Sequence, residues 1–446
     1  MTTDELRAAA DGLVALHQRF APFFGYRQAQ DHALTYLQGL LLAPGRKSVE
    51  PIALTFGNGQ VHALQKFLTL SPWDSQAVQE EIQAVFAEEF VPSAAQWSLG
   101  TVGVIDESSF VKKGSASVGV KRQWCGRLGK KENCQVGVFL VGLTPAGSAL
   151  LDHQLYLPKE WSGDRKRRRQ TRVPNGLRFA TKPQIALTLL QRVRHAAHVH
   201  FDWLTFDEGY GRDGAFLSQL EAAQQHYVAE VPVNTSVWPA DPGQPDRPDA
   251  EVGPRPRQAQ RSASRSVQAI AAALPVDAWQ NLQVREGTAG PLVFAFACVR
   301  VWARRNKKPG RLLWLLVRRS LGAEPESKYY LCHAAEDTSR ETLALVSSCR
   351  NRVEEFFEES KGHLGMADCE GRSWTSWHHH MTMVALAHLL VSQTRMRLKK
   401  NAGDNGGPGS ASAASGITAT GTESGAGHRN HRVSPEAESD CQAIAP

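Results

Sequence analysis

Three acids in this chain of 446 residues stand where carboxylates can do chemistry. Two of them end short apolar runs, Val104-Ile105-Asp106 and Thr205-Phe206-Asp207. A carboxylate at the end of a buried strand is unfavourable unless it is paired, solvated or bound to a metal. The third acid is helical. Arg350, Glu354 and Lys361 are spaced i, i+4 and i+11, which on a helix leaves them within about 40° and 20° of one line. Two strand-end aspartates and a helix glutamate are a donor set for metal-assisted phosphoryl transfer. Hard carboxylate oxygens suit Mg²⁺, with Mn²⁺ as its substitute. Two ions about 4 Å apart would clamp the attacking and leaving oxygens of an in-line displacement. Arg350 and Lys361 would then hold DNA phosphates beside the acids.

These residues need a scaffold, and the sequence pattern predicts an α+β one. Up to about residue 95, apolar residues recur at helical spacing in 11–20, 33–42 and 78–90, which predicts a bundle of roughly five short helices. Ser71-Pro-Trp-Asp74 breaks the pattern and offers Asp74 or Ser75 as a helix cap. From residue 100 the pattern changes to strands, expected at 102–105, 117–123, 133–143 and 149–157. Arg165–Arg169, five consecutive cations, reads as a solvated loop that contacts phosphate. A helix over 182–197 leads to a strand at 203–206. A helix at 214–225, a strand at 226–233 and three strands near 292–303, 311–318 and 327–333 follow. Six prolines in 239–256 predict a loop. Helices are expected over 338–362 and 374–396. Past residue 400, Gly, Ser, Ala and Thr dominate, the composition of a disordered tail.

Composition narrows the function. Residues 401–446 carry −3, so the first 400 residues carry +10, a balance that favours a polyanionic partner. No stretch reaches 18 uninterrupted apolar residues, which argues against a membrane span, and the start lacks a basic-then-apolar leader. Seven cysteines without a CxxC pair suit a reducing compartment. A cytoplasmic, nucleoid-associated location is expected.

Longer blocks carry a resemblance. They are Val104-Ile-Asp-Glu-Ser-Ser-Phe-Val-Lys-Lys-Gly114, Ser117–Gln123, Asn133–Val138, Leu155-Tyr-Leu-Pro-Lys-Glu-Trp161, Thr181–Gln184, Asp207-Glu-Gly-Tyr-Gly211, Arg352–Gly362, Glu370–Trp374 and Trp377-His-His-His380. In this order, over roughly 15–395, they resemble cut-and-paste DDE transposases of bacterial insertion sequences. The resemblance implies an RNase H-like catalytic core with Asp106, Asp207 and Glu354 as metal-binding catalytic triad. It also implies a β-rich insertion between the second and third acids. The expected organisation is a helical region at 1–97 that binds DNA, core segments at 98–212 and 338–398, an insertion at 213–337 with a proline-rich loop at 239–258, and a tail at 399–446. The family's helix signature has a tyrosine where this chain has Ser347, and Glu355 is the rival of Glu354.

The implied partners are double-stranded DNA, at element ends and target, and a second copy of the chain. Neither a membrane nor a nucleotide cofactor is expected. Lys112, Lys113, Arg167 and Arg168 are further candidates for phosphate contact, and Trp238, Trp302 and Trp314 for stacking on a base. The competing reading is an inactive transposase-derived DNA-binding regulator, and a carboxylate-pair hydrolase stands third. Gly209-Tyr-Gly-Arg-Asp-Gly214 matches a dinucleotide fingerprint in outline, but Asp207 and Glu208 would face the pyrophosphate. His195, His198 and His200 lack the partners of a zinc site.

Overall fold

The computed structural model describes residues 2–242, 263–287, 290–305 and 307–404. Most of the expected proline-rich loop and the tail from residue 405 lie outside the described residues.

Five helices open the chain: α1 (Thr3–Phe20), α2 (Arg27–Leu42), α3 (Val49–Phe56), α4 (Val61–Thr69) and α5 (Ser75–Glu89). Asp74 caps α5, accepting from the Gln76 amide at 2.8 Å, as the break before it predicts. An antiparallel meander follows: β1 (Val102–Val111), β2 (Lys121–Cys125), β3 (Lys130–Thr144) and β4 (Gly147–Leu155). β3 lies between β1 and β4 and also carries β2. Next come α6 (Lys159–Ser162), α7 (Arg165–Gln170) and α8 (Lys182–Ala196). β5 (Trp203–Phe206) then runs parallel to β1. After α9 (Glu208–Gly211) and α10 (Gly214–Ala222), β6 (His226–Val231) runs parallel to β5. The sequence pattern grouped β6 with the insertion; its pairing sets it beside the acid-bearing strands.

The segment expected as an insertion holds β7 (Ser236–Trp238), β8 (Arg265–Ser266), α11 (Val267–Ala272), β9 (Gln280–Gly287), β10 (Gly290–Arg305), β11 (Lys308–Arg319) and β12 (Ser327–His333). Its strands are antiparallel, and β12 pairs with β6, so both regions share one sheet ordered β2-β3-β1-β5-β6-β12-β11-β10-β7-β8. α12 (Arg340–Cys349), α13 (Asn351–His363) and α14 (Trp374–Asp404) complete the described chain.

The N-terminal helices do not stand apart from the sheet. Phe20, Tyr36, Leu37 and Phe86 share one apolar core with Val104, Leu140 and Leu386. Gln79 and Gln83 on α5 donate to the carbonyls of Leu150 and Leu151 at 2.6 and 2.9 Å, which pins that helix to β4. A smaller core of Val301, Leu313, Leu315, Leu331 and Ile270 fills the other face of the insertion.

Three local expectations need correction. The strand expected from residue 117 begins at Lys121, because Gly119 has φ +70 and the chain turns there. Arg165–Arg169 is helical rather than a loop: Asp164 caps α7 by accepting from the Arg167 amide at 2.9 Å. The single helix expected over 338–362 is divided at Arg350 into α12 and α13. His379 and His380 are buried, stacked on Trp73 at 3.7 Å and bonded to the Tyr36 hydroxyl at 2.8 Å respectively. Among the described residues no helix is long and apolar enough to cross a membrane.

Candidate active site

β1, β5 and β6 are parallel neighbours in register, with Ile105 opposite Phe206 and Phe206 opposite Ala229. The residues that follow are therefore Asp106, Asp207 and Glu230. Asp106 lies mid-strand rather than at the expected strand end, because β1 continues to Val111 paired with β3, while Asp207 falls just past β5 and Glu230 near the end of β6. Asp106 is buried, and its Oδ1 accepts from the Glu107 amide at 2.7 Å. Burial, then the charge of Asp207, push its carboxyl up to about 7, while Arg350 works against the shift. Asp207 caps α9, its Oδ1 accepting from the amides of Gly209 and Tyr210 at 2.9 and 3.4 Å.

Arg350 joins the acids. Its NH1 lies 3.4 Å from Asp106 Oδ2, its Nε 3.4 Å from Glu230 Oε2 and its NH2 2.9 Å from Glu354 Oε1. Burial would lower the guanidinium pKa, but the charges of Asp106, Glu230 and Glu354 prevail and hold it above its usual value. Glu354 itself is exposed, its side chain 58% accessible. Its rival Glu355 is engaged elsewhere, with Arg285 of β9 at 2.6 Å and Arg352 at 3.4 Å. Among the described residues, no three His, Cys, Asp or Glu side chains converge into a ready-made metal cluster. Asp106 and Asp207 still suit a hard divalent cation, because two close carboxylates repel until a cation or proton neutralises them.

The other candidates divide. Lys361 sits against the rings of Phe110 and Phe357, donates to the Ser109 carbonyl at 3.4 Å, and burial pulls its pKa down. Lys112 is tied to the Cys369 carbonyl, whereas Lys113 is exposed. Arg167 stacks on Trp161 at 3.8 Å and Arg168 donates to the carbonyls of Pro174 and Leu177, so both hold the local fold. Trp238 is buried beside Trp302, and Trp314 carries Arg300 over its ring at 4.6 Å while donating to the Ala335 carbonyl at 3.2 Å. Ser347 is buried and donates to the Ala344 carbonyl at 2.7 Å, so it stands inside its own helix rather than facing a phosphate.

The glycine pattern at 209–214 has a packing reason: a Cβ on Gly211 would lie 1.9 Å from the Glu230 carbonyl oxygen. The Asp207 carboxylate already takes the Gly209 and Tyr210 amides of that turn, and its charge would repel a pyrophosphate. His195, His198 and His200 are exposed and join no metal-binding group among the described residues. Glu230 escaped the sequence pattern. The signal that could have found it was a third apolar run ending in acid, Val228-Ala229-Glu230, after two others of that form.

The mixed sheet that carries these acids on and beside adjacent parallel strands is consistent with a nuclease fold, and the chain belongs to the DDE superfamily endonuclease family, whose sequence pattern matches residues 19–291. That span holds Asp106 and Asp207; Glu354 lies beyond it. Enzymes of this superfamily generally use divalent metal ions. Over 190 residues the chain is 30% identical to a probable transposase for insertion sequence element IS701 from Microchaete diplosiphon, a stretch covering 42% of this chain and 45% of that protein.

Proposed function

We propose that this chain is a transposase that cleaves DNA at the ends of an insertion sequence and transfers the freed strand. Asp106, Asp207 and Glu354 are its catalytic acids, on strands and a helix read as an RNase H-like core. The observation that carries the reading is the row of acids on adjacent parallel strands, joined to Glu354 through Arg350. The family match and the transposase relative agree with it.

Asp106, Asp207 and Glu354 would hold Mg²⁺ or Mn²⁺, which when bound would supply charge neutralisation and a more acidic nucleophile. The chain's own groups do the rest. In the first step a water oxygen bonds to a phosphorus at the element end, the bond to the 3′ oxygen breaks, and that oxygen leaves as a hydroxyl after gaining a proton. In the second, this hydroxyl attacks another phosphodiester and displaces its 3′ oxygen in turn. Arg350, held among carboxylates at the start of α13, would meet non-bridging phosphate oxygens, and Lys361, in the last turn of that helix, would meet phosphate further along the strand. The helical region, the insertion's tryptophans and a homodimer that holds two element ends complete the proposal.

Excision of a marked element flanked by its native ends tests it. Asp106→Ala, Asp207→Ala and Glu354→Ala each abolish excision while DNA binding persists. A wild-type protein that binds the ends but never cuts them with Mg²⁺ or Mn²⁺ would instead be a DNA-binding regulator.

A further inference from the structure

We infer that Arg165, Arg169 and Arg178 form a seat for the phosphodiester backbone of double-stranded DNA, around a depression of about 540 Å³. The inference rests on the reading of this chain as a DNA-processing enzyme and adds a binding site to it.

Residues 159–182 contain nine basic and two acidic residues, a net +7 equal to the formal charge of the whole chain. Both acids are engaged, Asp164 as the cap of α7 and Glu160 with Lys121. Cations this dense lie within one screening length, about 8–10 Å at physiological salt, and repel one another.

The arginines fall into two groups. Arg167 and Arg168 are turned inward. Arg167 stacks on Trp161 and donates to the Ser115 carbonyl at 3.1 Å, and Arg168 is fixed by two carbonyls at 2.9 and 2.7 Å. Arg165, Arg169 and Arg178 are exposed and, among the described residues, make no side-chain hydrogen bond or ion pair. All three line one depression, whose wall includes the fixed Arg168 guanidinium.

Guanidinium forks match phosphate oxygens in pairs. Phe179, 37% exposed, adds an apolar face at the same place. The lining residues are open to solvent, which suits the backbone of a polymer better than a small nucleotide, whose sites enclose most of the ligand. At its end the segment is tied to β1, where Lys182 Nζ lies 2.5 Å from Glu107 Oε1. The sequence pattern favoured Arg167 and Arg168; their internal bonds transfer the contact to Arg165, Arg169 and Arg178.

The test is fluorescence anisotropy of a labelled duplex carrying one element end, titrated with the full-length protein over a series of salt concentrations. Each phosphate contact contributes about 0.9 to the slope of log K against log salt. Arg165→Ala/Arg169→Ala/Arg178→Ala therefore lowers the magnitude of that slope by about 2.7 if each arginine meets one phosphate, and weakens binding more than tenfold at low salt. The triple lysine variant restores most of the slope. Arg172→Ala, whose side chain bonds the Thr69 carbonyl outside the depression, changes little, and circular dichroism checks that every variant folds. An unchanged slope in the triple alanine variant, with wild type binding DNA, overturns the seat and leaves the enzyme reading intact. Loss confined to a duplex RNA probe overturns the choice of DNA. Wild type that binds no DNA overturns both.

Discussion

Arg350 and the arginines of residues 159–182 are the same side chain in opposite surroundings. Arg350 is 16% exposed and meets carboxylates on β1, β6 and α13. Arg165, Arg169 and Arg178 are exposed and, among the described residues, pair with no carboxylate. A charge enclosed by the fold must be matched by the fold, because an unpaired buried ion is strongly unfavourable. A charge left unmatched at the surface is free for a partner from outside. The same contrast separates the two roles assigned here, chemistry at the acids and grip along the arginines.

Removing the cation from each region should break the contrast most visibly. Arg350→Ala leaves Asp106 and Glu230, 11% and 14% exposed, without their shared cation. It should lower stability by about 3 kcal/mol in urea denaturation. Glu230→Gln keeps a hydrogen-bond acceptor for Arg350 but loses the charge, and should lower stability by about 1.5 kcal/mol. The Arg165, Arg169 and Arg178 alanine variant should stay within about 0.5 kcal/mol of wild type. A loss in that variant as large as for Arg350→Ala would contradict the division.

A third kind of ionisable group sharpens the comparison: histidines kept buried and neutral. Burial lowers His379, His380 and His388 from 6.5 to about 4. The unfolded chain then binds protons that the folded chain refuses. Stability from these groups is present above 6.5 and is lost as pH falls toward 4. Asp106, raised to about 7, and Asp152, also raised by burial, act with the opposite sign, but the buried His153 and His378 are lowered as well, so the histidines outnumber them. The thermal unfolding midpoint should therefore fall as pH drops from 6.5 toward 4, and His379→Gln should flatten that fall. The smallest effect belongs to Arg285→Ala, which breaks a partly exposed pair with Glu355 and should change stability by under about 1 kcal/mol.

Much of the frame was legible in the sequence because it depends on local pattern. Apolar periodicity located the longer helices, and β5 showed as a short apolar run ending before Asp207; for β1 only the first four residues showed, because its polar second half, from Asp106 to Val111, is held by pairing with β3. What escaped depends on distant partners. The Arg165 run took helical form because Asp164 caps it and Trp161 receives one guanidinium, and neither contact has a sequence period. Glu230 showed as an acid in a strand, but its approach to Arg350 arises only when β6 pairs with β5. The spacing of Arg350, Glu354 and Lys361 on one helix was sound in direction. The division at Arg350 was not visible, since no Pro or Gly marks it.

The most direct test of the central claim is single-turnover cleavage of a duplex bearing the native element end, comparing wild type, Glu354→Gln and Glu355→Gln with Mg²⁺ and with Mn²⁺. The account predicts cleavage by wild type, a fall of about 10³-fold for Glu354→Gln, and Glu355→Gln within a few-fold of wild type. Wild-type rates from Glu354→Gln, or collapse in Glu355→Gln alone, would contradict it.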